Sequence, residues 1–155
     1  MRSGVSLGVL VLALSGCGSS SDGGDSTPIA KGALTGKVGG ASWTVASAQT
    51  DAFLSDQDGL WLELYAEPVA SCGAFGNGNS LILNVPPKVG SYSFGNRLNG
   101  TFVIESASGS DNLVATQGTL RVDEVTNALL RGGVSMTFDT DNSVSGEFEA
   151  VVCAN

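Results

Sequence analysis

Three cysteines are the most reactive side chains in this sequence, and the chain contains no histidine. Cys17 ends a short apolar run, whereas Cys72 and Cys153 lie far apart in the rest of the chain. A nucleophilic cysteine or serine needs a neighbouring base, and the usual base, histidine, is missing. The cysteines therefore indicate covalent attachment and disulfide formation rather than catalysis.

The first sixteen residues have the pattern of an export signal. Arg2 supplies a positive charge, and an apolar segment follows over 5–14. That segment is too short to cross the roughly 30 Å hydrocarbon core of a bilayer as a helix. We predict that residues 1–16 are a signal peptide.

The residues Leu14-Ser15-Gly16-Cys17 resemble the lipobox of bacterial lipoproteins, in which small residues precede the cysteine at the site of cleavage by lipoprotein signal peptidase. The resemblance implies that Cys17 becomes the first mature residue and carries a diacylglycerol and a further acyl chain such as palmitate. Two or three chains hold a protein on a membrane, because each buried CH₂ contributes roughly 0.8 kcal/mol. Residue 18 is Gly rather than the Asp that retains enterobacterial lipoproteins at the inner membrane. The predicted location is therefore the outer membrane of a bacterial envelope, with the periplasmic or surface side left open.

Residues 17–32 are mainly Gly, Ser, Asp and Thr, which predicts a flexible linker because they have little to bury. One domain over 33–155 follows. Without Arg2, six basic side chains stand against fifteen acidic ones, a net charge of −9. Nucleic acid is excluded as a partner because no basic patch could neutralise its phosphates.

Lipidation of Cys17 leaves Cys72 and Cys153 as a pair in an oxidising compartment. We predict a disulfide between them, which would contribute roughly 4 to 5 kcal/mol in the chain-entropy model. The alternative is two free thiols, one of them a nucleophile, and it lacks a histidine base.

Short apolar runs alternate with turn clusters at intervals of eight to twelve residues, which is typical of an antiparallel all-β sandwich or partly open barrel. We predict a single domain of about eight to ten strands. The candidate strands are 33–38, 42–48, 60–66, 80–85, 91–94, 100–106, 113–116, 119–125, 129–139 and 143–152. The last two form the clearest hairpin, with one apolar face and one polar face.

Two motifs give a second resemblance. Residues 146–153 read G-x-F-x-A-x-x-C, and residues 87–92 read P-x-x-G-x-Y. Both resemble motifs in small uncharacterised all-β bacterial lipoproteins. The resemblance implies a structural role for the motifs and no activity.

Acidic residues are the remaining groups that could bind a metal or catalyse a reaction. Asp56 and Asp58, like Asp139 and Asp141, are spaced as turn residues, with a calcium site as the alternative. No cofactor or metal is predicted. Five glutamates are expected at solvent-facing strand positions, so no catalytic residue is predicted: Glu63, Glu67, Glu105, Glu147 and Glu149.

Aromatic residues could form a binding surface. In 60–65, the leucines alternate with Trp61, Glu63 and Tyr65. If the leucines fill the core, Trp61 and Tyr65 flank a carboxylate on the outer face, an arrangement suited to stacking on a sugar. We favour the other interpretation, that both aromatics are packed, either on a second buried face or under the 67–79 loop, because large aromatic side chains are mostly buried.

The sequence thus predicts a non-catalytic, membrane-anchored envelope lipoprotein that works as an interaction or structural module. A carbohydrate or small-ligand binder using Trp61 and Tyr65 is one alternative. An inhibitor of a periplasmic or extracellular enzyme is another. The partner, an envelope protein or a glycan, is not specified by the sequence.

Overall fold

The protein is described by a computed structural model over residues 27–73, 75–95 and 98–154. The predicted signal peptide and Cys17 lie outside the described residues. Eleven strands and no helix are found in the described part of the chain, which confirms the all-β fold class. The strands are β1 Thr35–Val38, β2 Ala41–Thr44, β3 Ser47–Asp51, β4 Leu60–Tyr65, β5 Ser80–Val85, β6 Gly90–Ser93, β7 Gly100–Ser106, β8 Gly109–Val114, β9 Gln117–Val125, β10 Leu129–Thr137 and β11 Ser143–Val151.

The strands form one curled, open sheet that resembles half of a barrel. Nine of them follow the order β6-β9-β10-β11-β3-β4-β5-β7-β8, and β1 pairs with β11 and with β2. All strand pairs are antiparallel except β11 with β3, which are parallel and meet at the single pair Val151 and Gln49. The sheet therefore consists of two halves joined at a narrow junction.

The two halves differ in charge. Strands β3, β4, β5, β7 and β8, with the segments 45–87 and 98–116 that contain them, carry seven acidic and no basic residues, and we call them the acidic half. Strands β1, β2, β6, β9, β10 and β11 form the ion-paired half. All four ion pairs found among the described residues join side chains of β9, β10 and β11.

One hydrophobic core fills the concave side of the sheet and takes residues from both halves. Phe102 on β7 is fully buried, and its ring packs edge-on against Trp43 at 5.3 Å and Phe138 at 6.0 Å between ring centroids. Because Trp43 and Phe138 belong to the ion-paired half, this aromatic trio holds the two halves together through the core.

The C-terminal hairpin forms between the two strands that the sequence predicts. Strands β10 and β11 pair over nine residues each, from Leu129 opposite Val151 to Thr137 opposite Ser143. The predicted inner-face residues of β10 are all buried, and Arg131 on the other face is exposed, whereas Gly133 and Ser135 on that other face are buried as well. A strictly alternating pattern bounded by a polar turn was sufficient to place this element.

The predicted strand over 42–48 is two strands in the structure. The chain pairs with β1 up to Thr44 and with β4 from Ser47. Between them, Val45 N donates to Leu34 O and Ala46 N donates to Tyr65 O, so the chain changes partner without a turn. The alternation of side chains continues through this change of partner, so the residue pattern does not reveal it.

Strand β8 begins earlier than predicted. We expected a loop up to residue 112, but β8 starts at Gly109 and pairs with β7 along its whole length. It is an edge strand, exposed at almost every position. Exposed edges carry polar residues on both faces, which conceals the strand period.

Residues 29–32, which the sequence assigns to the linker, contact the domain. Ala30 N donates to Ser145 Oγ at 2.9 Å, and Gly32 O accepts a bond from Glu147 N at 2.7 Å. Gly146 permits this approach, because a Cβ there would lie 2.5 Å from Leu34 Cα. The chain that leads to the predicted anchor therefore meets the domain on the outer face of β11.

Candidate functional site

The junction between β3 and β11 is held mainly by side chains. Besides the single backbone pair, Cys153 N donates to Thr50 Oγ1 at 2.9 Å, and Cys72 N donates to Gln49 Oε1 at 2.9 Å. The predicted disulfide between Cys72 and Cys153 is formed, with Cα atoms 5.3 Å apart. It ties the 67–79 loop of the acidic half to the end of β11.

The backbone at Cys72 is unusual. Its φ of 61° makes it the only non-glycine residue with positive φ among those described. Such a conformation is uncommon for a residue with a side chain and is maintained by the surrounding contacts, in this case the disulfide and the bond to Gln49. The loop is thereby fixed where it meets the junction.

A groove of about 340 Å³ opens at this junction, and we call it the seam groove. Its volume falls near the lower end of the roughly 300–1,000 Å³ of small-molecule sites. The lining is mostly apolar and includes Ala52, Phe53, Phe75 and the disulfide. Asp51 is the one ionisable side chain among the described residues that line it.

Two phenylalanines stand at the rim of the seam groove almost entirely in solvent. Phe53 is 92% exposed and Phe75 is 73% exposed, and Leu54 beside Phe53 is 57% exposed. Large aromatic side chains are mostly buried in folded proteins, so two of them exposed around one groove form an unsatisfied apolar surface.

The β3–β4 loop fixes the position of Phe53. The Asp51 carboxylate accepts bonds from Phe53 N at 2.7 Å and from Leu54 N at 3.0 Å. Ser55 Oγ then accepts a bond from Trp61 N at 2.9 Å, which ties the loop to β4. An Asx turn of this kind directs the following side chains outward and limits the entropy lost when they bind.

Tyr65 is not available as a stacking platform, because it is 4% exposed. Its ring lies beneath the 67–79 loop at Gly76, where a Cβ would lie 2.3 Å from the ring. This is the packed alternative considered for Tyr65. Its hydroxyl donates to Glu63 Oε2 at 2.6 Å, and burial together with this carboxylate raises the pKa of Tyr65 well above its usual range.

The expectation that Glu63 faces solvent is wrong. Glu63 is 7% exposed because the 67–79 loop covers this part of the outer face. Its hydrogen bond from Tyr65 offsets the cost of burying a carboxylate. The pair supports the loop that carries Cys72 and Phe75.

Trp61 remains partly accessible. It is half-buried on β4, directly opposite Asp51 on β3 and Asn84 on β5. An aromatic ring with a carboxylate and an amide on its two sides combines apolar surface with polar groups, as small-molecule sites do. Trp61 therefore stays partly accessible, but Tyr65 is not available beside it as a second stacking ring.

Both aspartate pairs form turns. Asp56 Oδ1 accepts bonds from Asp58 N and Gly59 N, and Asp139 Oδ1 accepts bonds from the backbone N atoms of Asp141 and Asn142. The pKa of Asp139 is lowered chiefly by the hydrogen bond from the Asn142 side-chain amide, and further by these backbone bonds. Across the described residues, no three His, Cys, Asp or Glu side chains are placed to hold a metal ion.

The ion-paired half presents a different surface. Arg131 contacts Glu149 at 2.8 Å and Glu124 at 3.0 Å, and Arg121 contacts Asp123 at 2.8 Å. Hydrogen bonds to these carboxylates raise the pKa of both arginines. Exposed pairs of this kind contribute little to stability and leave few charges to attract a partner.

Phe53 and Phe75 are the site residues that the sequence interpretation missed. Each lies in a loop of small and polar residues outside any alternating pattern, and that isolation was the available signal. The second signal was the absence of Lys and Arg from 38–87.

Comparison with models of known protein families gives no match, and searches of curated proteins and of solved structures give no significant match either. Within the described ranges, no helix is long and apolar enough to span a membrane.

Proposed function

We propose that this chain is a bacterial envelope lipoprotein, anchored through Cys17, that binds a partner at the seam groove without catalysing a reaction. The lipobox-like residues support the anchor. The groove supports the contact role, because its lining combines apolar surface with a backbone fixed by a disulfide and an Asx turn.

The observation that carries the proposal is the exposure of Phe53 and Phe75 at one groove. A phenylalanine buries roughly 150–250 Å² when covered, at about 25 cal/mol per Å². Covering both rings therefore supplies several kcal/mol toward association before its entropic costs are subtracted. Binding hot spots typically consist of such aromatic anchors.

The position of the groove suits a tethered protein. The chain meets the domain at Ser145 on β11, whereas the groove lies at Cys153, eight residues further along the chain and two residues beyond the end of β11. At about 3.3 Å per residue, the two points are roughly 25 Å apart. A partner can therefore occupy the groove without displacing the tether.

The anchor is tested by fractionation of the envelope. The native chain should be recovered with the outer membrane, with an acylated Cys17 as its first residue by mass spectrometry. A Cys17→Ser chain should be recovered in the soluble fraction. Recovery of both chains in the same membrane fraction would reject the anchor.

The contact role is tested with a photo-crosslinking amino acid placed at Phe53 or Phe75 in the native envelope. Val89, 59% exposed on the ion-paired half, is the matched control position. We expect one discrete adduct from both groove positions and none from Val89. Equal labelling at all three positions would reject a specific contact at the groove.

A carbohydrate ligand is the second candidate, favoured by the position of Trp61 between Asp51 and Asn84. Its test is tryptophan fluorescence of the full chain titrated with envelope glycans. A saturable change that Trp61→Phe abolishes would support it, and an unchanged spectrum would reject it.

A further inference from the structure

We propose that the seam groove binds a basic protein segment, in which an apolar side chain enters the groove and flanking Lys or Arg residues face the acidic half. This inference rests on the proposed contact function and specifies the chemistry of the partner. The apolar part of the argument is the groove itself, with Phe53, Phe75 and the disulfide.

The acidic residues near the groove favour basic residues on either side of the partner's apolar side chain. Asp51 lines the groove, Asp56 and Asp58 lie in the loop that carries Phe53, and Glu67 begins the loop that carries Phe75. Those three outer acids are all exposed. Since 38–87 contains no Lys or Arg, no cation within these loops neutralises them.

The same charges disfavour other occupants. An anionic lipid headgroup or a phosphorylated peptide would meet like charge, from Asp51 in the groove and from the exposed acids of the loops that carry Phe53 and Phe75. A second copy of this acidic chain would meet the same repulsion. A cation also gains from the exposed aromatic faces, through cation–π attraction to Phe53 and Phe75.

The test uses the full lipidated chain in neutral detergent and three fluorescein-labelled peptides. All three have the same Leu-Trp-Leu centre, flanked by lysines, by glutamates or by serines. Fluorescence anisotropy reports binding. At physiological ionic strength we expect the lysine peptide to bind at least about tenfold more tightly than the glutamate peptide, and the difference to shrink in roughly 1 M salt.

Two matched sets of variants locate the binding. The double variant Phe53→Ala with Phe75→Ala should lower the affinity for the lysine peptide at least about tenfold, whereas Val89→Ala should leave that affinity unchanged. Asp56→Asn with Asp58→Asn and Glu67→Gln should weaken it roughly fivefold. Asp141→Asn with Glu147→Gln and Glu149→Gln changes the net charge by the same amount on the ion-paired half and should leave binding unchanged.

Several results would overturn the inference. They are equal affinity for the three peptides, equal weakening by the two charge-matched triple variants, no binding of any peptide, and groove-dependent self-association in sedimentation. In each case the crosslinking at Phe53 and Phe75 still decides the proposed function separately. A discrete adduct would support the contact function at the groove with a partner that is not basic. Equal labelling at Val89 would reject both the contact function and the basic partner.

Discussion

The two halves of the sheet are both built of β-strands, but they differ in strand length and in what their outer surfaces present to solvent. In the ion-paired half, β9, β10 and β11 have nine residues each, and Arg side chains join them across the outer face. In the acidic half the strands have five to seven residues, and long loops carry exposed aromatics. The three long strands of the ion-paired half form a ladder with one register shift, between Arg131 and Gly132, whereas the acidic half presents exposed aromatic rings from its loops.

The comparison shows that the longest strand pairing lies in one half of this fold, and that the exposed apolar and charged groups lie in the other. The long ladder needs no loop longer than a turn, so its outer face can be satisfied by ion pairs. The acidic half leaves apolar rings and unneutralised carboxylates in solvent, which costs stability locally. Its loops are then held by the disulfide, the Asx turn at Asp51 and the buried Tyr65–Glu63 pair.

The largest effect should come from removing the disulfide. Cys72→Ser with Cys153→Ser releases a loop closed over 81 positions and should cost about 4 kcal/mol in urea unfolding. Because the junction contains one backbone pair, hydrogen exchange should accelerate first in β3 and in the 67–79 loop. Equal acceleration in β9 and β10 would show that the halves are not separately held.

Tyr65→Phe should have an intermediate effect, confined to the acidic half. It leaves the buried Glu63 carboxylate without its hydroxyl donor and should cost about 1–3 kcal/mol at pH 8. The raised pKa of Tyr65 means that the folded state holds its proton more tightly than the unfolded state. The contribution of Tyr65 to the free energy of unfolding is therefore fully present below about pH 10, and it is lost progressively as the pH rises beyond that value.

This pH dependence can be checked by urea titration of both chains at pH 8, 10 and 11, values chosen about the ordinary tyrosine pKa of 10.0. The native chain should lose stability over the upper interval, and Tyr65→Phe should lose less over that interval. Tyr92→Phe is the matched control, because the hydroxyl of Tyr92 donates to the exposed Lys88 carbonyl. Parallel pH profiles for the native chain and Tyr65→Phe would contradict the assignment.

The smallest effects should come from single surface charges, and they should differ between the halves. Arg121→Gln removes contacts to Asp123 and Glu147 and should destabilise by at most about 1 kcal/mol, an effect that high salt removes. Asp111→Asn on β8 removes a negative charge from a half without cations and should not destabilise. Thermal unfolding at low and high ionic strength measures both, and a loss of stability in Asp111→Asn would contradict the charge comparison.

Much of the architecture was predictable from local pattern. The β10–β11 hairpin has strict alternation and a polar turn, so its faces and register follow from the sequence. The split between β2 and β3 was not predictable, because a change of pairing partner leaves the alternation intact. Strand β8 was predicted only in part, since its polar edge has no apolar face to define a period.

The site was less predictable than the fold. The disulfide followed from counting cysteines, but the burial of Glu63 and Tyr65 depends on a loop that folds back over β4. The loop follows β4 directly, so burial beneath it was one of the two interpretations, but the residue types of the loop do not say whether it folds back over the strand or extends into solvent. The position of Phe53 at a groove likewise depends on the loop of Phe53, the loop of Phe75 and the end of β11 coming together, and these segments are far apart in the sequence.

The junction has a mechanical consequence. Only one backbone pair joins β11 to β3, and it would yield early if a bound partner pulled on the loop that carries Phe75. Cys72 lies three residues before Phe75, so such a force passes through a covalent sulfur–sulfur bond into β11. There it is resisted by the nine-residue ladder with β10, the longest in the fold, so the single pair of the junction does not have to bear it alone.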